Sequence, residues 1–503
     1  MKTLALIILD GYGLGAPDGG NAVAAAKTPV LDGLLRDCEH TVLHASGEDV
    51  GLPRGQIGNS EVGHTNIGAG RVVYQELSRI SREIDGGGFF ENPALCEAAD
   101  CAKNGGGSLH LFALVSPGGV HSHTKHLYAL IDLAKRRGVP RVYVHAFTDG
   151  RDVPPGTAET YVRELDAYCK ASGNAVIASV TGRYYAMDRE ERWDRLELAF
   201  DCIALGEAES CGSAVEAVQK SYGNGVTDEF IRPVIIDRDG TVRDGDAVIF
   251  ANFRPDRARE LTRAFTAPDT VGFSPKARYN NLRFVCMCRY DESLTNVSVA
   301  FGKSNITGTL GEAVSQAGLK QLRCAETTKY AHVTYFLNGG EEIVFPGEER
   351  ILIPTRADVA TFDEAPEMCA FEVAAAASER IRRGDISLAV VNFANCDMVG
   401  HTGVFGAAVK AVEAVDAALG ILLDAVRSVG GAALVTADHG NAEEMLLPDG
   451  SPMTAHTTNL VPLILTGAEG GLRRGRLADI APTALRLLGI PTPKEMTGDI
   501  LVC

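Results

Sequence analysis

Seven times along this chain a short apolar run breaks off into a polar loop, and a stretch with helical spacing follows. The runs are LALIILDG, LHLFALVSPGG, RVYVHAFTDGRD, AVIASVTGRYYAMDR, DAVIFANFRPDR, LAVVNFANCDMVGH and AALVTADHGN. Continuous apolar strands that alternate with helices are covered on both faces, so the pattern predicts an α/β fold with largely parallel sheets. Ligands gather beyond the carboxyl ends of such strands, which places the chemistry in the loops that close each run.

Those loops are of two chemical sorts. Acidic and His-bearing ones lie near both chain ends, and Arg-rich ones lie between about residues 117 and 260. With 503 residues, more than one hydrophobic core usually serves, the division predicts two domains that meet over one substrate. Fixed-period repeats of the solenoid kind are lacking.

Composition excludes several classes of function. A formal net charge of −17 leaves no extended basic surface for nucleic acid, so an anionic substrate must meet local positive charge. The opening run Leu4 to Leu9 is far shorter than the ~20 residues that span a bilayer and reads as a buried strand, with no membrane attachment expected. Twelve cysteines without framework spacing read as reduced thiols of a cytoplasmic protein. The Cys286-x-Cys288 pair reads as core packing.

Candidate metal ligands fall at strand ends. Asp10 follows the first strand, and by itself is either a turn residue or a ligand. Asp397-x-x-x-His401 brings carboxylate and imidazole to one side if a helical turn begins at Val399–Thr402. Asp438 and His439 close another strand in TADHGN, and His456 stands in AHTTN. Imidazole with carboxylate suits Mn²⁺, Zn²⁺ or Fe, and six such groups exceed the needs of one ion, so two ions sharing the set are expected.

Ser60 lies in the glycine-rich stretch GQIGNSEVGHTNIGAGR, where a helix beginning at Glu61 could aim N–H groups at an anion. Asn-Ser-Glu also reads as a plain helix cap. A free serine is a poor nucleophile at neutral pH, and divalent cations would activate it for in-line phosphoryl displacement. His64 in the same stretch is read as structural. An anion cradle is expected from His121, Arg151, Arg183, Arg189, Arg254 and Arg257, with Lys329 near the C-terminal block as a further cation. Arg forks bind phosphate and carboxylate through paired hydrogen bonds. Asp152, next to Arg151, is the carboxylate best placed to take and return a hydroxyl proton.

GNSEVGH, VHSH, HAFTDGRDVPP, GRYYAMDR, NFRPDRAR, KYAHVTYF, DMVGHTG and TADHGNAE, in this order, resemble the cofactor-independent phosphoglycerate mutases, a branch of the alkaline-phosphatase-like metalloenzymes. The likeness runs from DGYG at residue 10 to AHTTN at 455. It implies an alkaline-phosphatase-like domain with a central, mostly parallel sheet flanked by helices, formed by residues 1–75 and 308–503. A second α/β domain, residues 76–307, is inserted and binds substrate, with hinges near 75 and 305.

By the same resemblance Asp397, His401 and His456 bind one Mn²⁺-type ion, and Asp10, Ser60, Asp438 and His439 bind the other. Ser60 accepts the phosphoryl group, while His121, Arg151, Asp152, Arg183, Arg189, Arg254, Arg257 and Lys329 contact 3-phosphoglycerate or 2-phosphoglycerate. Asp152 moves the hydroxyl proton, no 2,3-bisphosphoglycerate is needed, and the chain is a monomer. Pro117, Thr328 and Cys396 depart from the pattern; Cys396 sets an oxidisable thiol beside Asp397, and the changes at Thr328 and Cys396 are expected to be tolerated. A metal-dependent phosphohydrolase or sugar-phosphate mutase is the alternative within enzymes, and a non-catalytic metabolite sensor the alternative outside them.

Overall fold

A computed structural model describes residues 3–303 and 305–503. The chain divides into two compact units, Met1–Gln75 with Asn305–Cys503, and Glu76–Ser304. Each has a hydrophobic core of its own and, among the described residues, one eight-stranded sheet.

In the first unit the strands run in the order Glu348–Ile353, Gln321–Glu326, Leu388–Phe393, Leu4–Leu9, Ala432–Thr436, Val461–Thr466, Glu39–His44 and Gly475–Arg476. All six side chains of Leu4–Leu9 are buried, because this strand lies mid-sheet with helices on both faces. Each fully buried Leu or Ile there contributes ~1.5–3 kcal/mol of apolar burial. Leu4 pairs with Leu388 on one side and Ala432 on the other, both in parallel register. That alignment brings the carboxyl ends of neighbouring strands to one edge. Val461–Thr466 runs antiparallel to both of its neighbours, so the sheet is mixed, though mostly parallel.

The second unit repeats the logic. Its order is Ser298–Phe301, Arg283–Cys288, Ala247–Phe250, Leu109–Leu114, Val142–Thr148, Ala175–Gly182, Val234–Ile235 and Glu209–Ser210. One pair, Ala175–Gly182 with Val234–Ile235, is antiparallel, and the others are parallel. Cys286 and Cys288 are buried on a strand of this sheet, and all twelve cysteines are free. No helix among the described residues is long and apolar enough to cross a membrane.

Candidate active site

Four adjacent parallel strands of the first unit each hand polar side chains to the same edge. Gln321–Glu326 leads to Lys329, Leu388–Phe393 carries Asn392 and leads to Asp397 and His401, Leu4–Leu9 leads to Asp10, and Ala432–Thr436 leads to Asp438 and His439. Ser60 reaches them from the first turn of the helix Ser60–Ala69. That helix starts one residue earlier than the spacing predicts, because the side chain of Asn59 takes the cap and accepts the N–H of Val62. The Ser60 hydroxyl is therefore spared for the site.

Around that hydroxyl the contacts are short. Lys329 Nζ donates to Ser60 Oγ, Asp10 Oδ1 and Asp397 Oδ2, each at 2.6 Å. Ser60 Oγ lies 3.1 Å from Asp10 Oδ1 and 2.9 Å from His439 Nε2. Lys329 thus stands beside the serine, and the arginines with which its charge would group it belong to the other unit. Burial opposes its ammonium charge, yet Asp10 and Asp397 outweigh that and raise its pKa above the ordinary value. Conversely, burial would lift Asp10 and Asp397, but Lys329 holds both well below the usual carboxylate range.

The three imidazoles share one orientation. His439 Nδ1 faces the carbonyl of Gly440 at 3.3 Å, His456 Nδ1 that of Gly58 at 2.9 Å, and His401 Nδ1 that of Thr454 at 2.6 Å. An N–H donated to each carbonyl turns every Nε2 inward. His456 Nε2 is then 2.9 Å from both Asp397 Oδ1 and His401 Nε2, and His401 Nε2 is 3.1 Å from Asp397 Oδ1. Two Nε2 atoms that close share either a proton or a metal cation, and a backbone carbonyl behind each ring is the usual support of a metal-binding imidazole. Asp438 Oδ2 is buried and makes no hydrogen bond, although His64 Nδ1 lies 3.1 Å and His439 Nε2 3.6 Å from it. Three carboxylates against the one ammonium of Lys329 also leave negative charge in excess. The donor set fits divalent cations on all three counts, and two groups are close enough for it: Asp397, His439 and His456, and Asp10, Asp438 and His439. Burial opposes a charged His439, but Asp438, Asp10 and Asp397 raise its pKa to about 9.

His401 arrives by a different turn from the one expected. The helix is Asn395–Gly400, with His401 as its C-cap, and its N–H donates to the carbonyl of Asp397 at 3.0 Å. The four-residue spacing still aligns the two side chains. Cys396 is fully buried, and burial raises its thiol pKa, which suppresses the thiolate that oxidation needs. Burial thus shields the thiol that the sequence sets beside Asp397.

Reading for ligand types alone misses Asn392, Asn441 and Glu443. Asn392 Nδ2 donates to Asp10 Oδ2 at 2.8 Å and to His64 Nε2 at 3.0 Å. His64 Nδ1 in turn meets the Ser60 carbonyl at 2.9 Å and Asp438 Oδ2 at 3.1 Å, so this buried ring positions two site segments. The usable signal was their place in the strand-end motifs NFANCD and ADHGNAE.

The second unit also delivers its polar groups from four neighbouring parallel strands: Arg254 and Arg257 after Ala247–Phe250, His121 after Leu109–Leu114, Arg151 and Asp152 after Val142–Thr148, and Arg183 and Arg189 after Ala175–Gly182. Arg183 is buried and pairs with Asp149 at 2.6 Å and Asp152 at 2.9 Å. Asp256 gathers Arg189 at 2.9 Å, Arg254 at 3.2 Å and His121 at 3.5 Å. Arg257 donates to the Met187 carbonyl at 3.0 Å, and Arg151 lies 3.4 Å from Glu229. Burial together with Arg183 depresses His121 to about 4, so its ring is neutral. Burial raises Asp152 against the pull of Arg183, and its Oδ2 has no hydrogen-bond partner. A pattern of cations alone does not mark Asp149 and Asp256.

A hydroxyl held among buried ionised groups costs stability that packing does not return, and this is the arrangement of an enzyme rather than a binding scaffold. Residues 80–292 match the family described as BPG-independent PGAM N-terminus. Over its whole length the chain is 52% identical to the 2,3-bisphosphoglycerate-independent phosphoglycerate mutase of Acetivibrio thermocellus, covering 99% of that protein. It is 53% identical to 2,3-bisphosphoglycerate-independent phosphoglycerate mutase 1 of Methanosarcina barkeri, covering 98% of it. A crystal structure of Leishmania mexicana phosphoglycerate mutase at low cobalt concentration superposes with a TM-score of 0.59 at 35% identity, over 99% of this chain and 97% of that one. The chain belongs to the 2,3-bisphosphoglycerate-independent phosphoglycerate mutase family.

Proposed function

We propose that this chain interconverts 3-phosphoglycerate and 2-phosphoglycerate through a phosphorylated Ser60, without 2,3-bisphosphoglycerate. The observation that carries the reading is the position of Ser60 Oγ, 2.6 Å from Lys329 Nζ and hydrogen-bonded to Asp10 and His439, in a chain of this family. Asp397, His401 and His456 would hold one divalent cation, and Asp10, Ser60, Asp438 and His439 the other. Mn²⁺ is the proposed ion. Cations bound there neutralise phosphate charge and lower the pKa of a serine hydroxyl.

The remaining steps belong to the chain's own residues. Ser60 Oγ gives up its proton and attacks phosphorus, the bond from phosphorus to the 3-oxygen breaks, and that oxygen takes up a proton. The 2-hydroxyl then gives up its proton and attacks phosphoserine, the bond from phosphorus to Oγ breaks, and Ser60 Oγ is protonated again. Asp152, whose pKa burial raises, is assigned the hydroxyl proton in both halves. Lys329 neutralises charge on the phosphoryl oxygens. His121, Arg151, Arg183, Arg189, Arg254 and Arg257 take the carboxylate and phosphate of the substrate, with Arg183 fixed in advance by Asp149 and Asp152. The twelve free thiols support a cytoplasmic location, and the family likeness supports a monomer.

The test is an enolase-coupled assay without 2,3-bisphosphoglycerate, with and without chelator. Activity that needs Mn²⁺ and disappears in Ser60→Ala is expected. Release of inorganic phosphate with no 2-phosphoglycerate would replace this reading with a phosphohydrolase.

A further inference from the structure

Glu443 is not among the assigned ligands, yet its buried carboxylate ties together the segments that carry them. Its Oε2 accepts the N–H of Gly13, three residues past Asp10, at 3.1 Å, and the N–H of Asn441, two residues past His439, at 2.8 Å. Its Oε1 accepts the hydroxyl of Thr457, next to His456, and the amide of Asn459 at 3.0 Å. The fourth segment is reached through Asn441, whose Nδ2 donates to Asp397 Oδ1 at 3.2 Å. The backbone has closed tightly on this carboxylate: a Cβ at Gly13 would fall 2.2 Å from Glu443 Cδ, and one at Gly440 would fall 2.2 Å from Oε1.

Glu443 is only 2% exposed. Burying an acid that no cation neutralises is costly, and four donors from three separate segments are what compensates it. A structural acid tied to a single loop would serve that loop. This one fixes the spacing of Asp10, His439 and His456 directly and of Asp397 at one remove.

We infer that Glu443 is a positioning residue that sets the cation affinity of the site without touching the cations. The inference rests on the two-cation reading above. Partners behind metal ligands are typically worth about 10–100-fold in affinity. Glu443→Asp draws the carboxylate back by one methylene, so it cannot serve all four donors. Glu443→Gln keeps the reach: its oxygen can accept the two N–H groups while its amide meets the Thr457 hydroxyl, which can turn to accept, and the Asn459 amide keeps its bond to Glu444 Oε2 at 3.2 Å.

Titration of the metal-free full-length chain with Mn²⁺ by calorimetry, with thermal unfolding in chelator alongside, tests this. Wild type and Glu443→Gln are expected to bind within a few-fold of one another, and Glu443→Asp about 10–100-fold more weakly, with a modestly lower metal-free Tm from the donors it leaves unserved. Glu443→Asp binding Mn²⁺ as tightly as wild type overturns the inference. So does a fall in metal-free Tm at unchanged affinity, or a Glu443→Asp chain that does not fold, since either makes the role one of fold stability. Failure of wild type itself to bind Mn²⁺ would instead overturn the two-cation reading.

Discussion

Lys329 contacts the Ser60 hydroxyl and two carboxylates through one nitrogen, 2.6 Å from each. A compact ammonium can do this and a planar guanidinium cannot, so Lys329→Arg is not a conservative change here. Removing a preorganised charge of this kind costs about 10²–10³ in turnover. Lys329→Met is expected to lower kcat by that factor with a smaller effect on KM, measured by steady-state kinetics, and Lys329→Arg is not expected to restore it. In the other unit Glu260 is buried beside Asp188, with its Oε1 accepting the N–H of Glu191 and its Oε2 unpartnered. Burial, with Asp188 adding to it, raises its pKa from 4.5 to about 7. A carboxyl whose folded pKa is raised binds its proton more tightly when folded, so its contribution to stability is full below 4.5 and lost as pH rises through about 7. Glu260→Gln is neutral throughout. Its Tm relative to wild type should rise between about pH 5 and about pH 8, and a difference that stays flat over that range would contradict the assignment.

The element that presents Ser60 depends on Asn59. Were Ser60 the cap, its oxygen would be occupied by a backbone N–H, but Asn59 accepts that bond and leaves Ser60 as the first helical residue. Asn59→Ala removes the cap at a cost of about 1 kcal/mol, read from denaturant unfolding. It also frees Ser60 to turn back onto the helix, so kcat should fall as well. The strand-ending loops were legible because apolar runs such as Leu4–Leu9 and Leu388–Phe393 are buried on both faces and stop at their polar residues. Less legible were Glu39–His44 and Val461–Thr466. Their antiparallel pairing is set by register with distant strands and leaves no local mark. The position of the Asp397 turn was also missed, since four-residue spacing fits a helix that ends at His401 as well as one that begins near 399.

Across the whole molecule, each unit gathers its polar groups from four neighbouring parallel strands, serine, carboxylates and imidazoles in one and arginines in the other. The chemical division could be read from residue types. The supports were less legible, because Asn392, Asn441, Glu443, Asp149 and Asp256 act largely through partners far away in the chain. A net charge of −17 makes the concentration of arginine in one unit the more telling, since a phosphorylated acid would otherwise be repelled. In the proposed reaction Ser60 carries the phosphoryl group between the two hydroxyls. Rapid acid quench of the Mn²⁺-loaded chain turning over 3-phosphoglycerate, followed by peptide mass spectrometry, tests it most directly. One phosphoryl group on the peptide containing Ser60, absent in Ser60→Ala, is the predicted result. Formation of 2-phosphoglycerate by the Ser60→Ala chain would contradict it.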